Sequence, residues 1–343
     1  MRGPSRPRSL PGTGAPGRRE AGAVGYGRLG LFLSGLLLFG NCASPRNIND
    51  YNTTISGKRP TIVSAKGELS PALSKRILDR LQGAAEPTDL IQRNALLVEA
   101  LSGSPLVTGN RVTLLIDGPK AYAAMLRAIL AARETISFET YGFEDDETGR
   151  QFADALLKKR AEGVRVDLLY DSVGSLSTPA AFFQRLKDGG IQVREFNPIN
   201  PAKHGSHGRL TQRDHRKILV VDGRIAFTGG INITKVNSGP SGSLARESRE
   251  HAQPAWRDTD VQIEGPAVAG MQRLFLDSWA RQGSPDPGGG MFPALKPEGK
   301  ELVQVIGSTP GLDNRITYVM YVSAFTYAQK SIHLTNPYFA PDK

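Results

Sequence analysis

The sequence predicts an α/β protein in which helices are layered on a sheet. Three observations carry that expectation. Between residues 122 and 281, segments with apolar side chains at helical spacing alternate with short β-branched runs. Within that span, Asp222-Gly223 joins two apolar runs, Lys217–Val221 and Arg224–Phe227, as a tight hairpin turn does. One helix-then-strand stretch also recurs. Ala132–Phe143 aligns with Ala328–Phe339 at an offset of 196 residues, and Ala128 then matches Ala324 and Asp146 matches Asp342.

The elements follow in order. Residues 1–28 carry six arginines against one acid, Glu20, and are rich in Gly and Pro, so this stretch is expected to be disordered. Leu29–Gly40 is an apolar run of 12 residues, too short to span a bilayer and suited to the core of a signal peptide. The sole cysteine, Cys42, follows directly and is the candidate for lipid attachment at a lipoprotein-type cleavage site, although Asn41 stands where a small residue is preferred. Residues 1–45 are therefore read as a signal or lipoprotein-type segment, and the chain is expected in a bacterial cell envelope, associated with the membrane. With a single cysteine there is no internal disulfide.

Residues 46–104 read as linker followed by a helical segment over Leu69–Leu101. Residues 105–283 form the main domain. Ser104–Ile116 is expected as a strand pair turning at Thr108-Gly109-Asn110. Tyr122–Glu134 is expected as an amphipathic helix, then Ile136–Phe143 as a strand. Gly149–Glu162 and Ala180–Asp188 read as helices, and Val164–Tyr170 and Ile191–Phe196 as strands. The loop Asp171–Gly174 sits at a strand's carboxyl end, where ligands often bind. Gly239–Glu250 is polar and Ser-rich, a candidate lid. Val261–Ile263 reads as a strand and Val268–Arg281 as a helix. Ser284–Pro297 is a Pro/Gly-rich connector that opens the last segment, 284–343.

The chemistry concentrates at His215–Asn232. On a strand, residues two apart share a face, so His215 and Lys217 point into one space and Arg216 points away. Neutral imidazole is a competent nucleophile near neutral pH. The lysine cation and the Asn232 amide are suited to the non-bridging oxygens of a phosphodiester. Attack by His215 would leave a phospho-histidine for a second nucleophile to resolve, and the leaving oxygen needs a proton from a group facing His215. Gly229 and Gly230 carry no Cβ and admit a ligand or another backbone. Asp222 reads mainly as the turn residue, and Glu139, on the buried strand, as a carboxylate able to orient His215 or to make a structural hydrogen bond.

The pattern His-x-Lys-x4-Asp followed by x6-Gly-Gly-x-Asn, at His215, Lys217, Asp222, Gly229, Gly230 and Asn232, resembles the HKD motif of the phospholipase D superfamily. Gly230 stands where that family often has Ser. The flanks Ile136–Phe143, Gly163–Asp171, Phe196-Asn-Pro198 and Trp256–Asp260 resemble bacterial cardiolipin synthases, and the resemblance covers roughly 105–343. It implies a layered fold with a mixed sheet flanked by helices, and phosphodiester transfer or hydrolysis on phospholipids through a phospho-histidine, with no cofactor and no required metal. It assigns the catalytic roles to His215, Lys217, Asp222 and Asn232, with Gly229, Gly230 and Glu139 at the substrate. An anionic, phosphatidylglycerol-like lipid at a membrane surface is the implied substrate, with a superfamily nuclease acting on nucleic acid as the alternative.

Members of that family usually carry two such motifs, and this sequence holds one. His204, His207, His251 and His333 all lack a lysine two residues on. The repeat accounts for the gap, because the second copy would reach its own motif near residue 411. The chain is thus expected to be one full repeat plus the opening of a second, its site completed by a missing half or by a homodimer partner. Without the missing half, a catalytically incomplete fragment is the further alternative. Net charge is +10, half of it in residues 1–28, and the remainder suits anionic head groups or nucleic acid alike.

Overall fold

Apolar alternation builds a mixed sheet with helices on both faces. The computed structural model describes residues 58–82, 90–199, 212–239, 257–284, 288–309 and 316–336, all within the compact unit Asn47–Lys343. The chain opens with β1 (Ile62–Ser64), β2 (Gly67–Glu68), α1 (Pro71–Gln82), α2 (Leu90–Ser102) and β3 (Leu106–Ile116). It continues through α3 (Gly118–Ala131), β4 (Thr135–Thr140), α4 (Glu147–Ala161), β5 (Arg165–Asp171), α5 (Ala180–Asp188) and β6 (Gln192–Phe196). Then come β7 (Ile218–Val221), β8 (Ile225–Gly229), β9 (Thr259–Glu264), α6 (Val268–Arg281), β10 (Glu301–Val303) and α7 (Ile316–Tyr327).

The strand order is β2-β1-β3-β9-β8-β7-β4-β5-β6, with β10 added on β3. β4, β5 and β6 run parallel, and the β7–β8 hairpin is antiparallel to β4. The pleat sends Phe138 and Leu219 to one face, against Phe152, Leu156 and Phe182 of α4 and α5. Ile218 and Val220 go to the other, against Phe275 and Trp279 of α6. The expected α/β layering and mixed sheet are therefore what the chain adopts.

Three expectations change. Leu69–Leu101 is two helices, and Pro87, which has no N–H to donate, falls between them. The strand pair expected over 104–116 is one strand, β3, bent at Gly109 (φ 90°). The bend exists because β3 changes partners there, from β1 and β10 to β9. Fully buried Asn110 fastens it, donating to Val107 O at 2.8 Å and accepting from Ala267 N at 2.8 Å. Finally, the segment expected to start a separate repeat contributes β10 to this sheet. Residues 1–57, including Cys42, and nearly all of the candidate lid lie outside the described residues, as do His204, His207 and His251.

Candidate active site

His215 stands just before β7, between two residues whose side chains are fastened on the α6 side of the sheet. Arg216 Nε lies 3.0 Å from Asp214 Oδ1 and 3.3 Å from Glu139 Oε1. Asp214 N donates to Asp171 Oδ2 at 2.9 Å. Asp171 Oδ1 also accepts from Val173 N and Gly174 N, so the loop at the end of β5 serves to hold the His215 segment. With residues 214 and 216 committed to one side, the alternation of an extended chain presents His215 and Lys217 to the other.

There, three groups meet around Tyr141 and Gly142, which follow β4. The His215 and Tyr141 rings are 4.7 Å apart, centroid to centroid. Lys217 Nζ sits 5.2 Å from the same tyrosine ring and donates to His215 O at 2.9 Å. Asn232 Oδ1 accepts from Gly142 N at 3.1 Å, so its amide N–H groups are what the side chain can offer a ligand. Tyr122 of α3 steadies the Asn232 loop, its hydroxyl donating to Asn232 O and, at 2.9 Å, to Thr234 O.

The electrostatics suit an anionic ligand. His215 is exposed, and partial burial of the imidazole, followed by the Lys217 charge, lowers its pKa, which favours the neutral base. Lys217 is buried, and burial brings its pKa down to about 8, opposed by the nearby Asp214, Asp258 and Asp260 carboxylates. Asp260 is buried with its Oδ1 accepting from Ile231 N at 3.2 Å. Burial raises its pKa to about 6. Among the described residues, no group of three or more His, Cys, Asp or Glu is arranged to hold a metal.

Four positions expected at the site do other work. Asp222 lies at the far end of β7, in a left-handed turn (φ 51°). Its carboxylate accepts from the backbone N–H groups of Arg133, Glu134 and Thr135 at 2.8–3.2 Å. It latches the hairpin to the start of β4 and is remote from His215 along the strand. Glu139 is 1% exposed and pairs with Ile218, so it faces α6, where it accepts from Ser278 Oγ and lies 3.3 Å from Arg216 Nε. Gly229 and Gly230 admit protein rather than ligand. A side chain on Gly229 would collide with Asp260, and one on Gly230 with the Asp258 carboxylate. Tyr141, Asp258 and Asp260 were visible in the flanking motifs, but nothing in their spacing marked them as neighbours of His215.

The family model described as "Cardiolipin synthase, PLD-like domain" matches residues 125–247. Cardiolipin synthase A of Pseudomonas entomophila (strain L48) is 37% identical over 248 residues, covering 71% of this chain and 48% of that protein. Cardiolipin synthase 1 of Bacillus anthracis is 33% identical over 256 residues, 72% of this chain and 48% of that protein. The chain thus spans about half the length of the curated relatives it matches. The crystal structure of Nuc, a phospholipase D family member from Salmonella typhimurium, superposes with a TM-score of 0.37 at 20% identity, covering 50% of this chain and 95% of that one. Residues 125–247 therefore match a phospholipase D-like domain of the kind described for cardiolipin synthases.

Proposed function

We propose that this chain supplies one half of a phosphatidyl-transfer site, with His215 as the attacking group. The observation that carries the reading is the convergence of His215, Lys217 and Asn232 on Tyr141–Gly142, with Asp214 and Arg216 turned to the opposite side. The His215 imidazole attacks the phosphorus of a phosphatidylglycerol-like diester, forming an N–P bond while the P–O bond to the departing glycerol breaks. Lys217 and the Asn232 amide hold the non-bridging oxygens as charge builds. The departing oxygen takes a proton from an acid on the complementary half. A second lipid hydroxyl, or water, then attacks the phospho-histidine and frees His215. Asp222 serves this reaction by fixing the hairpin, and Gly229 and Gly230 by letting Asp258 and Asp260 approach.

The relatives' length and the exposed second copy of the repeat both support a complementary half, supplied by further chain or by a partner subunit. No described helix is long and apolar enough to cross a membrane. A lipid on Cys42 would hold the domain at the surface where its substrate lies.

The test is trapping. The chain is mixed with vesicles of phosphatidylglycerol carrying ³²P in the phosphodiester and quenched without acid. Label that stays on the protein, survives alkali, is released by acid and is absent in His215→Ala supports the reading. Equal labelling in His215→Ala overturns it. Cleavage of single-stranded DNA with no label from lipid transfers the site to nuclease chemistry.

A further inference from the structure

Beneath His215, on the α6 side of the sheet, lies a buried polar cluster that the proposed reaction does not use directly. Glu139 reaches it from β4, Asp214 and Arg216 from either side of His215, and Ser278 from α6. Glu139, Asp214 and Ser278 are 1%, 3% and 0% exposed. Arg216 joins them. Its Nε is 3.0 Å from Asp214 Oδ1 and 3.3 Å from Glu139 Oε1, its Nη2 is 3.2 Å from Asp214 Oδ2, and it also donates to Ser278 Oγ. Ser278 Oγ donates to Glu139 Oε1 at 2.8 Å.

The charges do not balance if both acids are ionised. Two carboxylates then share one guanidinium, and an uncompensated buried charge is strongly unfavourable. Glu139 Oε2 accepts no hydrogen bond from a donor. The Glu139 and Asp214 carboxyl groups instead converge on Arg216 Nε, at 3.3 and 3.0 Å. Two acceptors brought together in this way, one of them with an unpartnered oxygen, are accommodated by a proton between them.

We propose that Glu139 and Asp214 share one proton, with Glu139 the donor, and that this pair, clamped by Arg216 and Ser278, is a positioning device for the His215 imidazole. The inference rests on the reading of His215 as the attacking group. Residues 214 and 216 bracket the nucleophile, and both side chains are tied to the same buried acid. Asp171 holds the backbone N–H of Asp214 from the β5 side. The peptide units on both sides of His215 are therefore fixed, and Glu139 governs the imidazole without touching it.

The directions of the pKa shifts agree. Burial, reinforced by Asp214, holds the Glu139 carboxyl well above the usual range. The hydrogen bonds from Glu139 and Arg216 outweigh burial and hold Asp214 below it. The charged and titratable groups facing the pair are Arg216 beside it, Lys217 and His215 on the same segment near Asp214, Asp171 and Arg213 from the β5 side, and Asp277 from α6. Glu139's neighbours across the sheet, Leu169 and Ile218, are apolar. For Glu139 the stability contribution is complete below its unfolded pKa of about 4.3 and is lost as pH rises through the folded value. For Asp214 the contribution is present above about 3.9 and is lost as pH falls through its lower folded value. Rising pH is therefore what removes the shared proton and loosens the strand below His215.

The experiment follows the His215 imidazole by NMR in the full chain, carrying ¹³C at histidine Cε1, with His215→Ala assigning the signal. Wild type, Glu139→Gln and Glu139→Ala are titrated from about pH 5 to about pH 10. In wild type the His215 signal shifts as the imidazole itself and Lys217 lose their protons, and it shifts and broadens in one further step as Glu139 does. Glu139→Gln can still donate to Asp214 but has no proton to lose. It keeps the wild-type signal at neutral pH and the imidazole and Lys217 steps, and lacks the Glu139 step. Glu139→Ala displaces the signal throughout. Superimposable wild-type and Gln titrations overturn the proposal, as does an unmoved His215 signal in Glu139→Ala. Should the alanine variant fail to fold, the comparison with Gln decides alone. Equal trapped phosphate in wild type and His215→Ala with these NMR results intact would sink the phospho-histidine reading and leave the proton-sharing pair standing.

Discussion

The two copies of the internal repeat bury opposite faces of the same helix. In α3, Tyr122, Met125 and Ile129 are buried against the sheet, while Lys120, Ala123 and Arg127 face outward. Shifted by 196 residues, the first three become Tyr318, Tyr321 and Phe325 of α7, which are 43%, 46% and 37% exposed. The outward three become Ile316, Val319 and Ser323, which are buried. The helix α7 packs on α2 through that inverted face, with Ser323 Oγ donating to Asn94 Oδ1 at 2.6 Å. The stretch beyond behaves in the same way. Ile136 and Phe138 of β4 are core residues, whereas their matches Ile332 and Leu334 are 55% and 39% exposed. A face patterned for a sheet but turned to solvent marks a surface still to be covered. On the proposed reading a complementary half would cover it, since the described part of the second copy has the sequence of a core element with that face exposed.

The sharpest way to break this comparison is to make one substitution at both matched positions. Ile136→Ala removes buried methyl groups from a filled core and is expected to destabilise by about 2–5 kcal/mol. Ile332→Ala is expected to change stability by no more than about 0.5 kcal/mol. Denaturant unfolding of both variants measures the difference. Equal costs would mean that residues 328–336 already have a packed partner in this chain and need no complementary half.

A smaller effect is expected at the latch. The strand β4 is held at its start because Asp222 accepts from three successive backbone N–H groups, whereas residues 329–331, the matching positions, are exposed. Asp222→Ala should cost about 2–3 kcal/mol, since the abandoned N–H groups lose a charged acceptor. Asp222→Gly tolerates the left-handed φ and isolates the hydrogen-bond contribution from backbone strain. A thermal midpoint unchanged in both variants would show that the latch contributes nothing.

How far the sequence spoke depended on how local the deciding interaction was. The hairpin at Asp222-Gly223 and the helices Ala180–Asp188 and Val268–Arg281 are set by turn chemistry and by apolar spacing within a few residues, and they form where expected. The side to which His215 and Lys217 point follows from strand alternation alone. The sequence leaves Glu139 between orienting His215 and a structural hydrogen bond, because its partners Arg216 and Ser278 lie 77 and 139 residues away in the chain, and no local pattern says which face of β4 meets them. Gly229 and Gly230 leave open in sequence whether a ligand or another backbone comes close, since a missing Cβ looks the same either way, and in the fold Thr259, Asp260 and Asp258 fill the space. The residue types at Gly109 predict a hairpin turn where β3 runs on, because a strand that changes partners and a hairpin use the same residue types.

Within the first copy, Lys217 is a buried cation. Lys217 pays for its place at the site with solvation. Its folded pKa of about 8 lies below the unfolded value of about 10.4. For a group so depressed, the stability contribution is present above the unfolded value and lost as pH falls through the folded one, so at neutral pH the buried ammonium costs stability. Lys217→Met, which keeps the side chain's length and removes the charge, is therefore expected to raise stability at pH 7. The gain should be about 1–2 kcal/mol, reduced because Asp258 and Asp260 lose their counter-charge, and it should vanish above about pH 10. The same variant should lose affinity for inorganic phosphate. In wild type that affinity falls as pH rises through about 8, and in the methionine variant calorimetry should show no such fall. A variant less stable than wild type at pH 7 would show that the surrounding carboxylates more than compensate the desolvated ammonium. Lys217 would then be a structural ion rather than a charge held ready for a substrate.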